Sequence, residues 1–175
     1  MRKLSMEELG RKSVEDIKDT PKFPLIVVLE NIRSAFNVGS VLRTADAFLL
    51  QAVYTTGYTA HPPHKEISKT ALGADKTVRN IHFNKTSLAI QELKKEQYKI
   101  VAAEQVVGSN LLHQFKFNPK EKIAIIFGNE VTGVEQETIN SCDGCIEIPQ
   151  LGMKHSLNVS VAAGVVLWEL VRQRL

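Results

Sequence analysis

The feature that most restricts how this chain can fold is a regular exchange between short β-branched apolar runs and helical patterns. "LIVVLE", "AVYTT", "TVRNI", "KIVAAE", "KIAIIF" and "CIEI" alternate with "VGSVLRTADAFLL", "HKEISKTAL", "TSLAIQELKKEQ" and "VEQETINSC", and an apolar helix from Val159 closes the chain. Strands separated by helices long enough to cross back over a sheet end up parallel, with the helices covering its faces. "LIVVL" and "IAIIF" are apolar without period-two alternation, as expected of central strands buried on both sides. The expected fold is therefore α/β, a mostly parallel sheet with helices on both faces. A chain of 175 residues with 43% hydrophobic content builds one such core without disulfides or metal. Residues 1–24 read as a short charged extension in which "SVED" makes a capped helix, and "TPKFP" leads into the first strand of a domain spanning 25–175.

Several function classes fall away early. A formal charge of +3 permits a polyanionic partner without the concentrated charge of a purely electrostatic tail. The only cysteines, Cys142 and Cys145 in "CDGC", lack two further ligands at zinc spacing, because His61, His64, His82, His113 and His155 offer no suitable pair nearby. No metal is expected. No stretch has signal-peptide or membrane-spanning character, which points to a reducing cytoplasm. Neither G-x-G-x-x-G nor a P-loop follows any strand, so the common nucleotide folds are disfavoured.

Open α/β sheets bind ligands at the carboxyl ends of their strands. Three loops there carry unusual chemistry. After "LIVVL" comes "ENIRSAFNVGSVLRTADAF", where Asn37 is placed to cap a helix, Gly39 allows close backbone approach, and Ser40 and Arg43 share a helix face. Arg43, among Val41, Leu42 and Ala45, reads as poorly suited to a solvated face. After "IAIIF" come Gly128, Asn129, Glu130 and Gly133, a turn whose glycines let a ligand lie against main chain beside a carboxylate. The third loop, "IPQLGMKHSLNVS", gathers His155, Ser156, Asn158 and Ser160 at the start of a helix that looks hydrophobic all round and therefore buried, against its own sheet and a second subunit. One cap needs only one side chain.

In order, these loops resemble the three motifs of the SpoU (TrmH-like) branch of the SPOUT RNA 2′-O-ribose methyltransferases. N-x-G-x-x-x-R matches Asn37, Gly39 and Arg43; G-x-E-x-x-G matches Gly128, Glu130 and Gly133; I-P…S-L-N-V-x-x-A matches Ile148, Pro149, Ser156, Leu157, Asn158, Val159 and Ala162. The similarity runs over about residues 24–175. It implies a C-terminal deep trefoil knot, a homodimer, and S-adenosylmethionine held mainly by main chain near Ala103, Gly128, Ile148, Met153 and Leu157. It further implies a catalytic constellation of Arg43, Asn37, Glu130, Ser156 and Asn158.

A guanidinium does not deprotonate in proteins, so Arg43 is expected to bind a phosphate and polarise the reacting hydroxyl while phosphate or water takes the proton. Candidate RNA contacts are Arg33, Arg11, Lys12 and Arg79. Among substrates, "AAEQ", "CIEIPQ" and "SLNVSVA" look closest to tRNA-directed relatives, including those acting on a D-loop guanosine. A tRNA wobble nucleotide or ribosomal RNA is the alternative. A non-catalytic RNA-binding knot dimer and a small-molecule methyltransferase complete the readings, although the first predicts eroded motifs and none is eroded here.

Overall fold

The computed structural model describes residues 1–5, 7–10 and 13–175. Its elements are α1 (Val14–Asp19), β1 (Phe23–Glu30), α2 (Ala35–Ala47), β2 (Leu50–Thr56), α3 (Lys65–Ala71), α4 (Ala74–Thr77), β3 (Asn80–Phe83), α5 (Thr86–Lys95), β4 (Lys99–Ala103), β5 (Asn110–Leu111), a 3-10 turn (Leu112–Gln114), β6 (Ile123–Phe127), α6 (Gln136–Ser141), β7 (Gly144–Glu147) and α7 (Val159–Arg172). The strands form one seven-stranded sheet in the order β3-β2-β1-β6-β4-β7-β5. Every strand pairing in it is parallel.

Strand pleating explains the unalternating runs, since successive side chains leave opposite faces and both faces are covered. Leu25, Val27 and Leu29 of β1 join Ile123, Ile125 and Phe127 of β6 under α2, α3 and α7. Ile26, Val28, Ala124 and Ile126 face the other way, against Ala89, Ile90 and Leu93 of α5. β1 and β6 are neighbours in the middle of the sheet, as their composition suggests. The strand order by itself states nothing about a knot.

Two local expectations change. The cap of α2 is Ser34, whose Oγ accepts from the Asn37 backbone N–H, so Asn37 sits one turn into the helix with its side chain free for other work. α7 is covered on one side by its own chain, as expected: Val159, Ala163, Val166, Leu167, Leu170 and Val171 are covered, whereas Val161, Val165 and Trp168, on the side expected to meet a second subunit, are 52%, 41% and 50% exposed. Within one chain the sheet covers only one side of it. β1 begins at Phe23, inside the expected extension, and α1 carries the capping box that "SVED" suggests, with Ser13 and Asp16 bonding reciprocally. Arg11 and Lys12 lie outside the described residues.

Gly39 meets its expectation. A Cβ there would stand 2.1 Å from Thr70 Oγ1 and 2.3 Å from the Ile67 carbonyl oxygen, so α3 packs directly onto the backbone of α2. That contact fixes the helix that carries Asn37 and Arg43. Cys145 is buried and Cys142 half-buried, both as free thiols. Burial, then the neighbouring Cys145, Asp143 and Glu30, push the Cys142 thiol up to about 12, far from a nucleophile's range. Among the described residues no group of three or more His, Cys, Asp or Glu could hold a metal, and no helix is long and apolar enough to cross a membrane.

Candidate active site

Because the strands are parallel, the segments after β1, β4, β6 and β7 all emerge at one edge of the sheet. Glu130, after β6, is the hub. Its Oε2 accepts from the Arg33 backbone N–H at 2.9 Å, and its Oε1 accepts from the Ser34 N–H at 3.2 Å and from Asn37 Nδ2 at 2.9 Å. Asn37 Oδ1 in turn accepts from Asn158 Nδ2 at 3.2 Å. Asn158 caps α7 through Oδ1, which accepts from the Ser160 N–H and hydroxyl at 2.9 and 2.7 Å. The three motif loops are thus joined by side-chain hydrogen bonds across 93 and 121 residues of sequence.

Burial alone would raise the Glu130 pKa. The bonds from Arg33, its own backbone, Asn37 and Ser34 together outweigh it and hold the carboxyl below its ordinary value. The native value is depressed relative to the unfolded one, so the stabilisation from these bonds is complete above the ordinary carboxylate range and fades as pH falls through the depressed value.

The turn after β6 is rigid for reasons the glycines explain. A Cβ on Gly128 would lie 2.2 Å from the Gly133 carbonyl carbon, and Gly133 has φ +72° with Glu104 Oε2 where a Cβ would go. Glu104, just after β4, uses that oxygen to accept from the Val134 N–H at 2.9 Å. Asn129 is buried and fully bonded: Oδ1 accepts from the Val131 and Thr132 N–H groups, and Nδ2 donates to the Asn31 carbonyl at 2.8 Å and the Tyr58 hydroxyl at 2.7 Å. Gln105 Nε2 donates to the His155 carbonyl at 2.7 Å, tying the loop after β7 to the segment after β4.

These segments enclose a cleft of about 300 Å³, at the lower end of the range for small-molecule sites. Ala103, Phe127, Ile146, Ile148, Leu157, Val159 and Ala162 give it apolar wall. Its charged lining is Glu104, Glu130 and Glu147, with no lysine, arginine or histidine among the described residues. Such a lining suits a flat apolar group that carries a positive charge.

Of the cofactor residues expected from the sequence, Ala103, Gly128, Ile148 and Leu157 line the cleft, whereas Met153 is 84% exposed and is not part of its wall. Ser156 and Glu130 line it as well, and Asn37 and Asn158 reach it through Glu130. Arg43 stands apart. It is exposed on α2, not crowded by its apolar neighbours, because Val41, Leu42 and Ala45 point into the core. Its guanidinium has no hydrogen bond or ion pair among the described residues. Arg33 is exposed beside Glu130 and contributes its backbone N–H. Arg79 immediately precedes β3 and so lies at the sheet edge opposite the cleft. Ser34, Glu104, Asn129 and Glu147 belong to the site without having been singled out for it.

A family model described as the SpoU rRNA Methylase family matches residues 24–168. The chain is 32% identical over 169 residues to the 23S rRNA (guanosine-2′-O-)-methyltransferase RlmB of Vibrio vulnificus, covering 97% of this chain and 67% of that protein. Among solved structures it superposes on an AdoMet-bound rRNA methyltransferase from Sinorhizobium meliloti with a TM-score of 0.80 and 25% identity, over 91% of this chain and 60% of that one. It superposes on the A. aeolicus TrmH/SpoU tRNA modifying enzyme with a TM-score of 0.81 and 28% identity, over 92% and 80%. This chain thus spans about two thirds of its curated relative's length.

Proposed function

Because the chain belongs to the SpoU rRNA methylase family, an S-adenosylmethionine-dependent family of RNA methyltransferases, we propose that its cleft holds that cofactor and that it methylates the 2′-hydroxyl of a guanosine ribose in RNA. The observation that carries the cofactor assignment is the lining of the cleft: apolar wall for an adenine, three carboxylates and, among the described residues, no cationic side chain. S-adenosylmethionine supplies an electrophilic methyl group on a positively charged sulfur. A site with that lining should distinguish it from the uncharged thioether product. Glu147→Gln is expected to weaken S-adenosylmethionine binding by about threefold, the scale of one partly exposed charge pair, and to leave S-adenosylhomocysteine nearly unchanged, because the rotatable Ser109 hydroxyl is the partner its carboxylate has to re-satisfy. Calorimetric titration of both compounds checks this, and equal weakening of the two would count against the charge assignment.

The chain's own residues divide the remaining work. Glu130 holds Asn37 and the Arg33–Ser34 backbone in place, and Asn158 ties them to the loop bearing Ser156. Ser156, on the cleft wall, and Asn37 orient the reacting hydroxyl. Arg43, a permanently charged fork without a protein partner, binds the neighbouring phosphate and polarises the hydroxyl, whose proton leaves through phosphate or water. The family's deep trefoil knot belongs to the segments after β4, β6 and β7 that surround the cleft.

Guanosine is the nucleotide named for the ribosomal relative and also the one the sequence favours for tRNA. Ribosomal RNA is the substrate class favoured by identity to the RlmB relatives, and tRNA is kept by the TrmH-like neighbour, of which this chain covers 80%. The uncovered stripe Val161, Val165 and Trp168, spaced i, i+4 and i+7 on α7, is the surface on which two copies meet. Sedimentation equilibrium is expected to return twice the chain mass, and Val165→Glu to return the monomer.

A further inference from the structure

The geometry points to Tyr58 as a stacking platform for a base of the RNA substrate next to the reacting ribose, an inference that rests on the RNA-methylating reading above. Tyr58 follows β2, at the same sheet edge as Glu130. The residue is 65% exposed, which leaves its aromatic surface open to a flat partner. Yet the side chain is not loose. Its hydroxyl accepts at 2.7 Å from Nδ2 of Asn129, a residue only 8% exposed whose other side-chain bonds form the turn that presents Glu130. A tyrosine pinned at its tip by a buried amide and bare along its face is an immobilised aromatic surface, so little rotamer freedom is lost when a flat partner lands on it.

The setting selects the partner. Arg33 follows β1 and Lys85 follows β3, both exposed, so the loops on either side of the one that bears Tyr58 along the rim of β1, β2 and β3 each carry a cation. A path of cation, aromatic face and cation matches the repeat of phosphate, base and phosphate in a single strand, where bases stack on aromatic rings and backbones track positive charge. The same strand then reaches Glu130 and Asn37 one residue beyond Asn129. Trp168, by contrast, is exposed on α7 while packed on Phe48, away from this rim.

The test is transfer of labelled methyl from S-adenosylmethionine to total RNA taken from cells lacking this protein, as a function of RNA concentration, for Tyr58→Ala, Tyr58→Leu, Tyr58→Phe and Tyr58→Trp. Loss of one base–aromatic stack predicts a rise of roughly 5- to 100-fold in apparent KM for RNA in the Ala and Leu variants. Phe and Trp should stay within about threefold of wild type. S-adenosylmethionine affinity should be near wild type in all four, and any fall in thermal midpoint should be shared by all four, because each loses the hydroxyl that accepts from Asn129. The inference is overturned if Leu performs like Phe, which would make the contact merely apolar, or if Phe performs like Ala, which would make the hydroxyl the active group. It is also overturned if cofactor affinity falls in step with RNA affinity, which would make Tyr58 a support for the Asn129 turn. Failure of the wild-type protein to label any RNA would instead remove the reading on which the inference rests.

Discussion

Arg43→Ala is expected to lower methyl transfer by about 100-fold or more while leaving S-adenosylmethionine affinity within about twofold, because the role proposed for its charge is in the transition state and not in cofactor binding. The structure separates the two effects in advance. Arg43 is exposed on α2, does not line the cleft, and its guanidinium bonds to nothing among the described residues. Removing it breaks no hydrogen bond or ion pair among the described residues, so the thermal midpoint should move little and lost activity is then not a loss of fold. Arg43→Lys keeps the charge and loses the planar fork, and it should stay well below wild-type turnover. Single-turnover kinetics on RNA, with cofactor affinity measured separately, decides the matter; near-normal turnover in the Lys variant would contradict a bidentate role.

Glu130→Gln is the second large effect, expected to reduce the transfer step by about 100-fold, the scale on which misplacement by an ångström acts. The carboxylate receives three donors, from the Arg33 and Ser34 backbones and from Asn37 Nδ2. An amide offers one acceptor oxygen and sets an NH₂ against at least one of those N–H groups. Keeping that oxygen toward Ser34 and Asn37 turns the NH₂ against the Arg33 N–H, and turning it toward Arg33 releases Asn37 and, through it, Asn158. The depressed pKa of Glu130 adds a pH signature: wild-type activity should show no break from this group until below the ordinary carboxylate range. Unchanged single-turnover rates in Glu130→Gln would mean that the hydrogen-bonded chain is ornamental to the chemistry.

Much of this was legible in the residues. The parallel sheet, its central strands and its two helical layers follow from unalternating apolar runs, because burial on both faces leaves that imprint. The motif spacings brought out Asn37, Glu130 and Asn158, which the fold bonds together. What stayed hidden has physical causes. α4 and β5, four and two residues long, are too short to show a period. Ser34 took the cap expected of Asn37 because either side chain can serve, and only the chain's exit from β1 decides where the helix starts. Glu104 and Asn129 act on turns distant in sequence, 30 and 71 residues away for Val134 and Tyr58, and no local pattern records such a partner. For α7 the sequence showed that two faces need cover but not which residues lie on which, because an apolar helix looks the same whether a given face meets its own sheet or another molecule.

The cluster in "KHSLNVS" shows how function and structure share residues. Asn158 is the cap of α7 and also the donor that reaches Asn37, Ser156 lines the cleft, and the His155 carbonyl receives Gln105. One side chain suffices for the helix, and its neighbours are released for the site.

The most direct test of the central claim is incubation of the protein with methyl-labelled S-adenosylmethionine and total RNA from cells lacking it, followed by mapping of the label, with matched DNA as control. Label on a ribose 2′-oxygen, at a guanosine and absent from DNA, is the predicted result. Label on a base, or none in any RNA fraction from protein that demonstrably binds the cofactor, would contradict the account.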